Sequence, residues 1–237
     1  MLQQTQTYRV EPKFLQFIAL FPTIETLASA PLAAVLIVWQ GLGYNRRAKF
    51  LHMAAQEIVA KHGGVVPEKT EHLEQLPGIG YATACSIAAF AYKTPTVFIE
   101  TNIRAVFIHF FFPDKEGIND KQLMPPIAQA VEGEDPRQWY YALMDYGVML
   151  KKTHKNPSRQ SKHHVAQSKF EGSDRQIRGA IIRILVQYSA LQYEELAAYV
   201  QVDIGRTASG KRFAAILERL TQEEMVKIGD TGLLSLK

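Results

Sequence analysis

Before Lys151 the chain contains no stretch in which apolar and polar residues alternate with the two-residue rhythm of a half-buried strand. Apolar residues recur instead at helical spacing. That restricts the first part of the chain to helices packed on helices. Thr7 or Tyr8 to Phe21 reads as one amphipathic helix, with Phe14, Phe17, Ile18 and Phe21 on a single face. Pro12 fits there because the first N–H groups of a helix lack intrahelical partners, and Pro22 closes the segment. Pro31 opens a helix to Trp39 or Gln40, broken by Gly41-Leu42-Gly43. Asn45 or Arg46 to His62 is helical, with Phe50, Met53, Ala54, Ile58 and Val59 inward, and Gly63-Gly64 ends it. Thr70 starts a short helix, Tyr81 to Ala91 makes the next, and Glu100 or Thr101 opens one to Phe112. Asn119 with Gln122, and Asp135-Pro136 with Gln138, mark two further starts, the second ending near Val148 or Leu150.

After Glu171 the pattern changes. Ser173 with Gln176 caps a helix to Gln187 that points Ile177, Ile181, Ile184 and Leu185 inward; others cover Tyr193 to Tyr199 and Ser209 to about Glu224. Two short apolar runs, 226–228 and 233–235, flank Gly229-Asp230-Thr231-Gly232, a hairpin signal. Three short helices and a β-hairpin suggest a winged helix-turn-helix whose groove-reading helix carries Lys211, Arg212 and Arg219. A small α+β packing module is the plainer alternative. The expected fold class is therefore mainly α, with a small winged-helix-like α+β domain at the end. The expected division is 1–150 for the helical domain, 151–170 for a basic linker and 171–237 for the terminal domain.

Composition narrows the classes of function. At 47% hydrophobic residues the chain is no disordered tail, and no apolar run is long enough to span a bilayer. The start shows no basic patch followed by an apolar stretch, so a cytoplasmic protein is expected, nucleoid-associated if bacterial. A single cysteine, Cys85, excludes an intrachain disulfide framework and any multi-cysteine metal site. The formal charge of +4 is local: Lys151 to Lys169 holds six cations, three histidines and no acid, so the rest of the chain is net acidic. Such a segment attracts polyanions, or is simply a solvated linker.

Two segments carry chemistry. In Leu76-Pro77-Gly78-Ile79-Gly80, between two helices, paired glycines allow a tight turn and expose amides at the next helix start. Such amides bind a phosphate through their N–H groups and the helix dipole without reading sequence; the same pattern also serves as a bare turn. Further on, Thr96-Val97-Phe98-Ile99 runs into Glu100, an acid closing an apolar run at a helix start. It is either a reactive carboxylate or a plain N-terminal charge.

In order along the chain come Leu2-Gln3-Gln4-Thr5-Gln6, Gly41-Leu42-Gly43-Tyr44, Arg47-Ala48, His62-Gly63-Gly64, Leu76 to Gly80 with Thr83-Ala84, and Met144-Asp145-Tyr146-Gly147. This set resembles the helix-hairpin-helix DNA glycosylase superfamily, most closely the adenine DNA glycosylase (MutY) family. The resemblance implies an enzyme of base-excision repair that flips a base from duplex DNA and hydrolyses its glycosidic bond, with adenine opposite 8-oxoguanine or guanine as the expected substrate. It further implies that Gln3, Gln4 and Tyr44 wedge into the stack, with Thr5 beside them. Leu76, Pro77, Gly78, Ile79, Gly80 and Thr83 grip the phosphate backbone. Glu100 stands where the family has its catalytic aspartate, Asn102 helps hold it, and Tyr81 and Ala82 line the pocket. Lys151, Lys152, Lys211 and Arg212 are the expected additional DNA contacts.

Departures from the family pattern qualify the chemistry. Glutamate for aspartate adds a methylene at Glu100, and misplacement by about 1 Å can cost on the order of a hundredfold. Ala82 replaces the lysine of lyase-competent relatives, so no Schiff base forms and strand cleavage is not expected. The family's glutamate that protonates adenine belongs just upstream of Leu2-Gln3-Gln4, so a longer chain is expected to supply it. No cysteine follows Gly147, so no iron–sulfur cluster is expected, and no metal; a monovalent cation at the hairpin remains compatible. The expected partner is duplex DNA with a mispaired or damaged base, bound by a monomer. Two alternatives stay open: a catalytically impaired DNA-binding protein on the same fold, and a glycosylase for uracil or thymine opposite guanine.

Overall fold

The computed structural model describes residues 1–3, 5–205 and 210–237, which excludes Gln4 and Ser209. In chain order the helices are Thr7–Leu20 (α1), Ile24–Ser29 (α2), Leu32–Trp39 (α3), Arg46–His62 (α4), Thr70–Glu74 (α5), Tyr81–Tyr92 (α6), Thr101–Phe111 (α7), Asp120–Val131 (α8) and Pro136–Thr153 (α9). A 3-10 turn at Pro157–Gln160 follows. The chain closes with Asp174–Tyr188 (α10), Ala190–Leu191 (β1), Tyr193–Ile204 (α11), Gly210–Gln222 (α12), Val226–Ile228 (β2) and Leu234–Leu236 (β3). The fold is mainly helical with one small antiparallel sheet of order β1-β3-β2.

Two compact units emerge. Unit 1 joins residues 1–65 to residues 168–237, and unit 2 is the continuous segment 66–167. This partition cuts across the division at 150 and 170 expected from the sequence, for a physical reason. Helix α3, Leu32-Ala33-Ala34-Val35-Leu36-Ile37-Val38-Trp39, is apolar all round, and such a helix must be covered on more than one side. One side meets α1 and α4; the terminal module supplies another, so Val35, Leu36 and Trp39 share one core with Ile181, Leu185 and Leu220. The amide of Ala33 donates to the carbonyl of Lys237 at 3.0 Å.

The order α10-β1-α11-α12-β2-β3 is that of a winged helix, with the capping Ser173 Oγ accepting from the Gln176 amide as its sequence suggests. Strand β1 is two residues long, too short to announce itself by pattern. Helix α11 continues to Ile204, beyond the expected Tyr199.

Four further expectations need correction. In α1 the inward residues are Val10 and Phe17, continued by Phe21 beyond the helix end, whereas Phe14 and Ile18 face outward, Phe14 at 50% exposure. Phe14 and Ile18 lie on the adjacent stripe, which spacing alone does not separate from the buried one. Helix α2 is absent from the expected set although Thr23 and Thr26 form a reciprocal capping box. In α4 the buried positions include Ala48, Ala55 and His52, whose Nε2 lies 2.9 Å from the Ala30 carbonyl, while Phe50, Met53 and Val59 are only partly buried. Finally, the first part of the expected linker is folded: α9 runs to Thr153, and Pro157, Ser158 and Ser161 are buried in unit 2. The Ile118 amide donates to the Gln160 carbonyl at 3.0 Å, and Ser158 Oγ donates to the Thr101 carbonyl at 3.1 Å. From Lys162 to Phe170 every residue is exposed.

Candidate active site

Unit 2 brings the hairpin and Glu100 into one framework. Helix α5 is a single turn of five residues, stopped by the Leu76–Gly80 turn. Leu76 is buried and anchors the turn, Pro77 and Ile79 are half-buried, and Gly78 and Gly80 are exposed. Gly78 has φ +74°, a left-handed conformation that glycine adopts without a Cβ clash. Gly80 then occupies the capping position of α6 with extended backbone and brings no side chain to the first amides of that helix. Those amides form the positive end of the helix dipole, the arrangement that takes an anion.

Helix α7 starts differently. Glu100 caps it: Oε1 accepts from the Asn102 amide at 2.6 Å and the Ile103 amide at 2.9 Å. The longer glutamate side chain thus folds back on its own helix. Its second oxygen, Oε2, is approached by Asn102 Nδ2 at 3.4 Å. Asn102 Oδ1 is enclosed and accepts no hydrogen bond among the described residues. An anionic oxygen and a free carbonyl acceptor therefore stand side by side, with no cation paired to Glu100 among the described residues.

The segment leading to Glu100 is fixed at three points. Thr96 Oγ1 donates to the Cys85 carbonyl at 2.7 Å, Tyr140 Oη to the Thr96 carbonyl at 2.7 Å, and Tyr81 Oη to the Val97 carbonyl at 3.1 Å. Burial pushes the Tyr140 phenol up to about 12 and the Cys85 thiol upward, so both stay neutral near pH 7. Tyr81 therefore ties the first turn of α6 to the extended segment that carries the carboxylate, while Ala82 is exposed and Thr83 half-buried.

Gly147 of α9 explains the Met144-Asp145-Tyr146-Gly147 motif, in which nothing local calls for a glycine inside a helix. A Cβ there would lie 2.5 Å from the Asn102 carbonyl oxygen and 2.8 Å from its Cα. Only the bare backbone lets α9 pack against the turn that holds Glu100. Arg104 adds a further tie, with Nε and Nη2 on Asp120 Oδ1 and Oδ2 at 2.9 and 2.8 Å. The guanidinium holds the Asp120 carboxyl below the usual aspartate range.

In unit 1, Arg47 organises the segment around Gln3. Its guanidinium donates to the carbonyls of Met1 at 2.9 Å and Gln3 at 2.6 Å and to Thr5 Oγ1 at 3.0 Å, with the Leu42 and Gly43 carbonyls at 3.4 Å. It also lies over the rings of Trp39 and Tyr44. Sequence reasoning places Arg47 in a motif but misses this role. Tyr44 sits in the left-handed region at φ +50°, 39% exposed, with its hydroxyl accepting from Arg175 at 3.2 Å.

Of the two cationic regions, one is partly paired. Arg212 binds Asp174 and the Gly172 carbonyl, each at 2.8 Å, and Arg219 approaches the same carboxylate at 3.9 Å. Lys211 is exposed. The groove-reading role expected of α12 thus rests on side chains partly committed to α10. Lys151 and Lys152, in the last turn of α9, form no ion pair with any described residue.

No group of three or more His, Cys, Asp or Glu side chains able to hold a metal occurs among the described residues. The one cysteine of the sequence, Cys85, is buried.

Residues 1–131 match the family described as HhH-GPD superfamily base excision DNA repair protein. The chain belongs to that superfamily. Adenine DNA glycosylase of Buchnera aphidicola subsp. Baizongia pistaciae is 33% identical over 154 residues, covering 63% of this chain and 43% of its own length. The Mycolicibacterium smegmatis protein of the same name is 45% identical over 106 residues, 45% of this chain and 36% of its own. The human one is 34% identical over 154 residues, 28% of its own length. The chain thus spans less than half the length of these curated relatives. Among solved structures, a thermostable thymine-DNA glycosylase shares the fold at TM-score 0.56 and 20% identity, over 66% of this chain and 73% of that one.

Proposed function

We propose that this HhH-GPD protein is a monofunctional DNA glycosylase that hydrolyses the N-glycosidic bond of adenine opposite 8-oxoguanine or guanine. The carrying observation is the Glu100–Asn102 pair: a carboxylate with no cation partner among the described residues, beside an unpartnered acceptor, at a helix start fixed by Gly147. As the base leaves, positive charge grows on the sugar, and a preorganised anion stabilises it without reorganising. A water donating a hydrogen bond to Glu100 Oε2, the carboxylate oxygen not held by the helix amides, would present its lone pair to the sugar carbon. Attack forms the C–O bond as the C–N bond breaks; the C–N electron pair leaves with the adenine, which takes a proton from solvent water, and Glu100 accepts the proton of the attacking water.

The amides of Tyr81 and Ala82 at the start of α6 would hold a DNA phosphate, and Gln3 and Tyr44 are the residues proposed to enter the base stack. With Ala82 at the position of the lyase lysine, hydrolysis is the whole reaction and no cofactor takes part. Identity with proteins named adenine DNA glycosylase supports the choice of base.

Single-turnover release of adenine from duplexes holding adenine opposite 8-oxoguanine or guanine tests this reading. Wild-type protein should release adenine, and Glu100→Gln should bind the same duplex without release. Binding without release by wild-type protein would replace the enzyme with a DNA-binding protein on this fold. Release of thymine or uracil alone would change the base.

A further inference from the structure

We infer that the seam between α7 and α9 carries a separate site for an unpaired nucleic-acid strand. Four rings follow one another along it. Tyr146 stacks on Phe110 with centroids 5.8 Å apart, Phe110 meets His109 at 5.0 Å, and His109 meets His154 at 5.2 Å. Phe110 is 57% exposed and Tyr146 40%, and His154 is exposed as well. Burying one such ring is worth about 1.5–3 kcal/mol, so a row left open to water marks a surface for a partner.

Charge identifies the class of partner. Helix α7 carries no acid, and from Tyr146 to Phe170 the chain has none; Asp145 is the one acid of α9. Lys152 and Lys155, on either side of His154, are exposed and pair with no carboxylate among the described residues. Rings in a row flanked by free ammonium groups suit a polyanion that also offers flat apolar faces, which is a strand of unstacked bases. Intact duplex is a poor fit, because each of its bases already has both faces covered. The row would tolerate any sequence, since every base has a π-face. This site does not depend on base excision.

Fluorescence anisotropy with a labelled oligothymidylate of about 12 nucleotides, and with a duplex of equal length, tests it on the full chain. Wild-type protein should bind the single strand in a salt-dependent way. Phe110→Ala with Tyr146→Ala should weaken that binding on the order of ten- to a hundredfold and leave duplex affinity unchanged. Phe110→Tyr with Tyr146→Phe keeps both rings and should keep the affinity. Lys152→Glu with Lys155→Glu should reduce the slope of log affinity against log salt, by about 0.7 for each phosphate no longer neutralised. Equal single-strand affinity with and without the two rings overturns the inference. So does a change confined to self-association in sedimentation, which would make the seam an interface between copies of the chain.

Discussion

Two helices of unit 2 begin in opposite ways. At α6 a glycine holds the capping position and the first amides receive no side chain; at α7 a carboxylate folds back and fills the same role for its own helix. A capping side chain in place of a glycine is worth roughly a few tenths of a kcal/mol, which α6 forgoes. The difference shows where local stability yields to another demand. The open start brings no capping side chain to the amides of Tyr81 and Ala82, which suits an anion, whereas the closed start turns its anion into a fixed, oriented charge. The open start would not follow from optimising its helix alone.

Changing the closed start should have the largest effect. Glu100→Gln keeps an oxygen for the Asn102 and Ile103 amides but removes the charge. Single-turnover base release should therefore fall at least about a hundredfold, while thermal melting moves by less than about 1 kcal/mol in stability. A rate near that of wild type would reduce Glu100 to a cap.

Gly147→Ala comes next, because the added methyl must displace the backbone at Asn102. Stability should drop by about 1–3 kcal/mol in denaturant titrations, with a parallel loss of base release. Unchanged stability would mean that α9 yields freely, and that the start of α7 is held from elsewhere.

Gly80→Asp makes the open start resemble the closed one. Its Cβ meets nothing within 4 Å and its φ is −97°, so the side chain is sterically admissible. The variant should be more stable by roughly 0.2–0.5 kcal/mol, yet bind duplex DNA about tenfold more weakly, since the carboxylate occupies the amides and repels phosphate. Better stability with undiminished binding would remove the hairpin amides from the DNA interface.

The smallest effect concerns the brace behind the closed start. The Asp120 carboxyl is held below its ordinary range chiefly by its hydrogen bonds from Arg104. Its contribution to stability is therefore present above the usual aspartate range and is lost as pH falls through the depressed value. Asp120→Asn should flatten that part of the acid-unfolding profile without altering base release at neutral pH.

Much of this can be read from residue order, and the exceptions share a cause. Helices α7, α8 and α9 announce themselves through Glu100, Asn119 and Asp135, because capping is a local bargain between a side chain and amides two or three residues away. The hairpin is legible for the same reason. What stays hidden depends on distant partners. The inward stripe of α1 is decided by what covers it, the glycine at 147 by Asn102 across a helix crossing, and the pairing of Arg212 in α12 by Asp174. Arg47 could be singled out by its proximity in sequence to Tyr44, but its carbonyl partners at Met1 and Gln3 lie more than forty positions away.

The shared core of unit 1 has a consequence for how the protein is made. During synthesis, α3 leaves the ribosome long before Ile181, Leu185 and Leu220 exist to cover Val35 and Leu36. Unit 2, being continuous, can close while that greasy helix still waits. A chaperone that shields short apolar segments should therefore engage the nascent chain between translation of α3 and of β3, and release it once Lys237 reaches Ala33.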